Sequence, residues 1–354
     1  MQQSLRFSVV ISCFERRVRT CTTMKKHGSK PGQAVLMRYP HICGTVDAVQ
    51  RQPTLIPLST GIGCPDFLRS FEDMPPPPTT TIVNNGYDNV ICTHVFPALA
   101  LTEVLRRHPG LSITTSHVST DYTCSPCTAD SRLDWYFMPS GLLKDEFVRC
   151  GIPEGKLVAS GMPVRKAFYQ ASDKAQAKKA LGIEPSQTHL LMMCGSMGCG
   201  PMEEITEVLR SKMGDTDVLS VACSKNETLL KKLTKLSADC PNIRILGQVD
   251  DVPRLMRGTD LFLTKPGGLS TSEAVAANLP MVLIDAVAGC EEHNLDYFLR
   301  AGMAVTADTP EKIADLALSL AHDEARLSSM RNAMQESSAR PAAEAIYAWL
   351  QAHR

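Results

Sequence analysis

Short apolar runs alternate with amphipathic segments along this chain from Asp88 onward. Each apolar, β-branched run is typical of a buried strand, and each amphipathic segment has the three-to-four-residue spacing of a helix. Such alternation predicts parallel sheets covered by helices, which is an α/β fold. The predicted strands lie in DNVICTH, LSITTSHVS, DWYFMPS, KLVASG, THLLMMC, DVLSVAC, NIRILG, DLFLTK and MVLIDA. The predicted helices lie in ALALTEVLRRH, GLLKDEFVRCG, EEITEVLRSKM, NETLLKKLTKLSA, LSTSEAVAANL and HNLDYFLRAG, and the chain after Pro310 is predicted to be helical.

The alternation forms two sets, which predicts two α/β domains whose strand ends face a shared cleft. We expect a first domain at residues 81–168, a second at 169–340 and a C-terminal helix at 341–354. Residues 1–80 lack periodicity apart from a possible strand at Phe7 to Ser12, so we expect a divergent or poorly ordered segment there. The proline run in MPPPPTTT, at the end of this segment, favours an extended linker.

Composition narrows the classes of function. The 354 residues carry 37 Lys and Arg against 37 Asp and Glu, so the charge balance does not favour nucleic acid as a partner. No apolar run is long enough for a transmembrane helix. Thirteen scattered cysteines in an α/β chain indicate reduced thiols rather than a disulfide framework. The closest pair, Cys124 and Cys127, lacks the further ligands of a zinc site, so we expect no metal.

A proline and two glycines separate the predicted strand DLFLT from the helix that follows it. Gly267 and Gly268 allow a ligand to approach the backbone, and the free amides of a helix start favour an anion such as phosphate. Ser270 and Thr271 add hydroxyl donors, while Glu273 suits the two hydroxyls of a ribose. An ordinary turn between strand and helix would produce the same pattern.

A second glycine-rich turn, CGSMGCG, follows the strand THLLMM. Its Gly195, Ser196, Gly198 and Gly200 would bring backbone amides to the same cleft. It lacks the full dinucleotide fingerprint, so two such loops in one domain favour a nucleotide diphosphate. Glu291, Glu292 and Asn294 follow the strand MVLIDA, where carboxylates and an amide suit sugar hydroxyls or a solvated helix start.

The order and spacing of these pieces resemble glycosyltransferase family 28, and within it the diacylglycerol glycosyltransferases, which include monogalactosyldiacylglycerol synthases and processive diacylglycerol glucosyltransferases. The matching segments are ICTHVFPALAL, STDYTCSP, DWYFMPS, GIPEGKLVASGMPVRKAF, CGSMGCGPM, GQVDDVPRLM, DLFLTKPGGLSTSEAVAANLPMVL and GCEEHN. The resemblance implies the GT-B architecture, two Rossmann-like domains facing a cleft. It also implies inverting, metal-independent transfer of a hexose, galactose or glucose, from a UDP-sugar to diacylglycerol, without a cofactor. Such a protein works peripherally on the cytoplasmic face of a membrane.

The resemblance also implies a role for each matched residue. Glu273 would bind the ribose, Val249 would hold the uracil by its backbone, and Glu292 and Asn294 would hold the sugar. The diphosphate would lie between two sets of residues, which are Gly267, Gly268, Leu269, Ser270 and Thr271 on one side and Gly195, Ser196 and Gly198 on the other.

One family feature is missing. Members carry an N-terminal Gly-x-Gly-His loop that usually supplies the general base, and nothing in residues 1–80 matches it. A divergent N-terminus or an altered reading frame would account for this difference. His94 and Asp121, both at predicted strand ends, are the remaining candidates for the base, although each is also typical of a hydrogen-bonded loop residue. The alternatives are a UDP-GlcNAc transferase acting on a polyprenyl-linked acceptor, a UDP-GlcNAc epimerase, or a catalytically impaired UDP-sugar-binding protein.

Overall fold

The computed structural model describes residues 9–11, 87–170, 173–195, 198, 200–337 and 341–353. These residues fall into two compact units divided after Ser160, and the chain from Ile346 onward belongs to the first unit again. Most of the predicted N-terminal segment 1–80 and the proline-rich linker lie outside the described residues. Within the described ranges, every helix is too short or too polar to cross a membrane.

The first unit contains a parallel five-stranded sheet in the order β1-β2-β3-β4-β5. Its strands are β1 Val9–Ile11, β2 Asn89–Cys92, β3 Thr114–Val118, β4 Trp135–Met138 and β5 Leu157–Ala159, and its helices are α1 Val95–Arg107 and α2 Lys144–Arg149. Strand β1 confirms the strand predicted within Phe7 to Ser12, and it pairs in parallel with β2.

The second unit contains a parallel six-stranded sheet in the order β11-β10-β9-β6-β7-β8. Its strands are β6 Thr188–Met193, β7 Asp217–Ala222, β8 Ile243–Leu246, β9 Leu261–Thr264, β10 Met281–Leu283 and β11 Ala304–Thr306. Its helices are α3 Lys174–Ala180, α4 Met202–Lys212, α5 Glu227–Leu236, α6 Val252–Arg257, α7 Gly268–Ala276, α8 Cys290–Arg300, α9 Pro310–Ala321 and α10 Glu324–Ser337. The predicted α/β alternation is confirmed, but the sequence patterns did not reveal the short elements β11 and α6.

The central strands of this second sheet are the most buried. Leu190 and Leu191 of β6 and Phe262 and Leu263 of β9 have no exposed surface, and β6 pairs with β9 in the register Leu191 to Phe262. Continuous apolar strands of this kind are expected when helices cover both faces of a parallel sheet. Burying each of these side chains stabilises the fold by about 1.5–3 kcal/mol.

The division of the chain differs from the predicted boundaries at two places. The stretch from Gly161 belongs to the second unit, ahead of the predicted boundary at 168, because the 3₁₀ turn Lys166–Tyr169 packs against α7. The last helix, α11 Ala342–Ala352, was predicted as a separate C-terminal piece. Its second half instead packs Ile346 and Leu350 into the apolar core of the first unit.

Candidate functional site

The strand order of the second sheet reverses at β6. Strands β7 and β8 extend the sheet on one side of β6, and β9, β10 and β11 extend it on the other. Open parallel sheets bind ligands at the carboxyl ends of the strands flanking such a reversal. The Thr264 hydroxyl donates to the Met193 carbonyl at 2.7 Å and so holds the ends of β9 and β6 together. Both predicted glycine-rich loops begin at this point.

The loop after β9 leads directly into α7. Gly267 is the N-cap with extended backbone angles of φ −76° and ψ 133°, and no side chain caps the first turn. The first amides of any helix lack intrahelical acceptors and carry the positive end of the helix dipole. The exposed Leu269 and half-buried Ser270 form this first turn beside the buried Gly268. The loop therefore leaves backbone donors available at the start of α7, and the predicted binding of an anion there stays a prediction.

Thr271 does not add the hydroxyl donor that we expected. Its side chain is completely buried, and the hydroxyl donates to the carbonyls of Gly267 at 2.9 Å and Gly268 at 3.1 Å. Short hydroxyl side chains commonly bond back to the preceding helical turn in this way. In this structure Thr271 therefore stabilises the loop and does not offer its hydroxyl to a ligand.

Glu273 lies one turn into the same helix and is half-buried. Burial raises the pKa of its carboxyl from 4.5 to about 7, and the nearby positive charge of Arg165 opposes this rise. Arg165 lies ahead of the turn that packs on α7, and the sequence did not reveal it as a neighbour. A half-buried carboxylate with a raised pKa is a common feature of functional sites.

The loop after β6 is the second glycine-rich loop. Gly195, Gly198 and Gly200 adopt φ angles of 67°, 55° and 102°, which L side chains rarely tolerate. The loop is held by the segment after β7, where the Ser224 hydroxyl donates to the Gly195 carbonyl at 3.1 Å and the Asn226 side chain donates to the Gly198 carbonyl at 3.0 Å. Ser196 lies outside the described residues.

Glu292 and Asn294 were expected to face a sugar, and here they have other partners. The Glu292 carboxylate accepts from the Gly289 amide at 3.1 Å, as in a helix capping box. Asn294 is 0% exposed, and its side-chain amide donates to the Pro266 carbonyl at 2.9 Å. A fully buried amide does not contact a solvent-borne sugar, so Asn294 holds the Pro-Gly-Gly loop in place.

Lys265 and Asp285 join the site without having been predicted there, and they lie beside Glu291, which the sequence had offered as a sugar ligand. The ammonium of Lys265 lies 3.4 Å from the Asp285 carboxylate and 3.7 Å from the Glu291 carboxylate. Glu291 also accepts from the Val287 amide at 2.9 Å, which closes the loop between β10 and α8. The available signal in the sequence would have been the position of Lys265 directly after β9 and of Asp285 two residues after β10.

Val249 lies in the loop after β8 and is half-buried. This loop opens at the same carboxyl edge of the sheet as both glycine-rich loops, because all six strands are parallel. The placement is compatible with the predicted backbone contact to uracil, which stays a prediction.

His94 caps α1 in the first unit. Its Nδ1 accepts from the Phe96 amide at 3.3 Å, so the neutral ring carries its proton on Nε2. In that tautomer neither nitrogen can take a proton while the cap persists, and burial lowers the pKa of His94. This arrangement favours a capping role over the predicted role as general base.

Besides His94, two polar residues lie at the carboxyl ends of the strands of the first sheet. Asp121 is half-buried in the loop that follows β3, where a carboxylate can act as a base. His117 within β3 was not predicted as a site residue and is only 3% exposed. Burial, together with the charge of His94, lowers the pKa of His117 to about 4, against a hydrogen bond with the Cys92 backbone. The cap formed by His94 weighs against His94 as the base, and the role of Asp121 stays a prediction.

Known proteins resemble this chain in sequence. Residues 79–164 match the monogalactosyldiacylglycerol (MGDG) synthase family, and residues 208–340 match glycosyl transferases group 1. The processive diacylglycerol β-glucosyltransferase of Bacillus licheniformis is 30% identical over 68% of this chain and 63% of its own length. The corresponding protein of Bacillus subtilis is 28% identical over 70% of this chain and 64% of its own length. The chain therefore spans somewhat less than two thirds of these relatives.

Solved structures resemble it in fold. A UDP-N-acetylglucosamine 2-epimerase described as putative from Listeria monocytogenes has a TM-score of 0.60 and 17% identity, covering 78% of this chain and 77% of its own. MurG of Acinetobacter baumannii has a TM-score of 0.59 and 14% identity, covering 85% and 86%. The UDP-GlcNAc 2-epimerase of Neisseria meningitidis, solved bound to UDP-GlcNAc, has a TM-score of 0.56 and 15% identity, covering 81% of each chain.

Two parallel α/β units and this structural likeness define the GT-B architecture, which confirms the predicted fold class. Within that architecture, the sequence matches assign the chain more narrowly. It belongs to the diacylglycerol glycosyltransferase group of glycosyltransferase family 28.

Proposed function

We propose that this protein is a glycosyltransferase that transfers a hexose, glucose or galactose, from a UDP-sugar to diacylglycerol. The observation that carries the proposal is the 30% identity over 68% of the chain to a processive diacylglycerol β-glucosyltransferase. Two glycine-rich loops at the strand reversal of the second sheet support it, because they supply the backbone donors that a diphosphate needs.

The donor would bind to the second unit. Its diphosphate would lie between the loop at Gly195 to Gly200 and the start of α7, and its ribose hydroxyls would donate to Glu273. An ionised carboxylate accepts such hydrogen bonds roughly twice as strongly as a neutral group. The uracil would meet the backbone at Val249. All the residues assigned to the donor follow strands of the second sheet, at the carboxyl edge of that sheet.

The chemistry follows from the donor. The acceptor hydroxyl would attack the anomeric carbon, the bond from that carbon to the diphosphate oxygen would break, and UDP would leave with the bonding electrons. Inversion would result from this single displacement. The amides at the start of α7 would stabilise the negative charge that grows on the diphosphate. Stabilisation of this kind by fixed hydrogen-bond donors is usually the largest single contribution to catalysis. The hydroxyl proton would pass to a base, for which Asp121 is our candidate because His94 caps a helix.

The acceptor determines where the reaction takes place. Diacylglycerol is held in a bilayer, so the protein would work at a membrane surface as a peripheral enzyme, on the cytoplasmic face where UDP-sugars are available. The test is a transfer assay with radiolabelled UDP-glucose and UDP-galactose on diacylglycerol-containing liposomes. Lipid-linked hexose as a β-anomer, formed from one donor in preference to the other, is the expected product.

A second candidate is a UDP-sugar-binding protein without transferase activity. The His94 tautomer favours it, because a capping imidazole does not replace the base of the missing Gly-x-Gly-His loop. This candidate predicts donor binding with neither transfer nor slow hydrolysis of the donor. Activity with UDP-GlcNAc alone, on a polyprenyl-linked acceptor or as epimerisation without any acceptor, would contradict both candidates.

A further inference from the structure

We propose that Lys265 binds the diphosphate of the donor, and that Asp285 and Glu291 hold its side chain at the start of α7 until the donor arrives. This inference rests on the proposed function, whose donor site it extends by a residue that neither the sequence pattern nor the comparisons assigned.

The first reason is the environment of the Lys265 ammonium. The side chain is only 14% exposed, and its two carboxylate neighbours lie at 3.4 and 3.7 Å. Charge-assisted hydrogen bonds between nitrogen and oxygen are usually about 2.7–2.9 Å long, so these two contacts are attractive but loose. Within the described residues the ammonium makes no hydrogen bond. A shielded cation with three N–H donors and loose partners can still accept an anionic ligand.

The second reason is position. Lys265 directly follows Thr264, whose hydroxyl ties the end of β9 to the end of β6 at the strand reversal. Lys265 also begins the loop that leads into α7, and its carbonyl accepts from the Gly267 amide at 2.8 Å. The side chain therefore belongs to the loop whose amides would meet the diphosphate.

The third reason is the charge of the cluster. Lys265, Asp285 and Glu291 together carry one positive and two negative charges. A Cβ on Gly267 would lie 3.9 Å from a carboxylate oxygen of Glu291, so this carboxylate stands beside the N-cap of α7. Without Lys265, two unopposed carboxylates would repel a diphosphate at close range. The site needs this cation, whether it touches the diphosphate or only neutralises the carboxylates.

The two possibilities differ in what a double substitution does. Lys265→Met leaves both carboxylates and should weaken UDP binding strongly. Lys265→Met with Asp285→Asn removes one charge of each sign, so the cluster keeps its net charge. If Lys265 only neutralises carboxylates, the double variant recovers affinity for UDP. If Lys265 donates to the diphosphate, as we propose, the double variant stays weak.

The experiment is isothermal titration calorimetry on the full chain with UDP and, separately, with inorganic pyrophosphate, in buffer without divalent metal. Lys265→Met is expected to weaken binding of both probes by roughly tenfold to a hundredfold, the usual effect of losing a charged hydrogen bond. Lys265→Arg should retain binding within several-fold, because it keeps the positive charge. Lys212→Met is the control, since Lys212 pairs with Asp315 between α4 and α9 and belongs to neither loop.

Unchanged UDP affinity in Lys265→Met would overturn the inference, and so would wild-type affinity in the double variant. The double variant also covers the case in which Lys265→Met fails to fold, because it leaves no additional uncompensated charge. Failure of the proposed function has a different signature. The wild-type protein would then bind pyrophosphate in a Lys265-dependent way but would bind UDP no more tightly than pyrophosphate.

Discussion

Replacing Glu273 by glutamine should make the free protein more stable and its complex with a nucleotide sugar weaker. Both effects follow from one property of Glu273, the burial that raises the pKa of its carboxyl from 4.5 to about 7. Glutamine keeps the shape and the hydrogen-bonding capacity of the side chain but carries no charge. The two predicted effects therefore have opposite signs at the same position.

The stability effect has a defined pH range. Between about pH 4.5 and pH 7 the folded protein holds a proton on Glu273 that the unfolded chain has released, so stability falls as pH rises through this interval. Above about pH 7 the full cost of the buried charge is present, at most about 3 kcal/mol and less because Glu273 is only half-buried. Glu273→Gln should therefore raise the free energy of unfolding near pH 8 by about 1–2 kcal/mol. The exposed Glu207, replaced in the same way, is the control.

The binding effect should run the other way. If ribose hydroxyls donate to ionised Glu273, wild-type affinity falls by roughly fivefold to tenfold from about pH 8 to pH 6 and by roughly tenfold to fiftyfold by pH 5, where it approaches the affinity of the neutral form. Near pH 8, Glu273→Gln should bind the donor roughly tenfold to a hundredfold more weakly than wild type, and the gap should close towards pH 5.

UDP-glucose is the suitable ligand, because UDP itself has a terminal phosphate that titrates near pH 6. Calorimetric titrations across this range, with urea unfolding at the same pH values, measure both effects. A wild-type affinity for UDP-glucose that does not change with pH would refute the role of Glu273. The same pH dependence in wild type and Glu273→Gln would refute it as well.

Further substitutions test the loops and the base. Gly198→Ala should lower the free energy of unfolding by about 1–3 kcal/mol and weaken UDP binding. The new Cβ would lie 2.7 Å from the backbone carbonyl oxygen of Cys223, at a φ of 55°. Gly110→Ala is the control, because there is open space around Gly110, and it should change neither stability nor binding. Asn294→Ala should cost about 1–3 kcal/mol of stability in urea unfolding by leaving a buried carbonyl unpaired, and an unchanged midpoint would contradict its role in the loop. In liposome assays, His94→Asn keeps a good N-cap and should retain transfer within several-fold, while Asp121→Asn should lower kcat by about 10²–10⁴-fold. The reverse ranking would restore His94 as the base.

The pattern of apolar and polar residues was sufficient to predict the α/β class, most strands and the two glycine-rich loops. Strands such as THLLMM and DLFLT are recognisable because burial on both faces demands continuous apolar runs, and the glycines mark where backbone must turn sharply. The motif order also predicted the family. Short elements escaped this reasoning, because the three residues of β11 are too few to show a period.

Tertiary structure alone decided what each polar side chain does within those loops. A helical turn brings Glu292 to the Gly289 amide and turns Asn294 inward to Pro266, although both residues have the chemistry to bind a sugar. Pairing of β9 with β10 places Lys265 beside Asp285, twenty residues away in sequence. Composition and spacing show which polar side chains are available. The direction in which each side chain points, and its distance from its partners, depend on strand pairing and helix packing between segments that are remote in the chain. The charge cluster beside the α7 start is visible only once those segments are folded together.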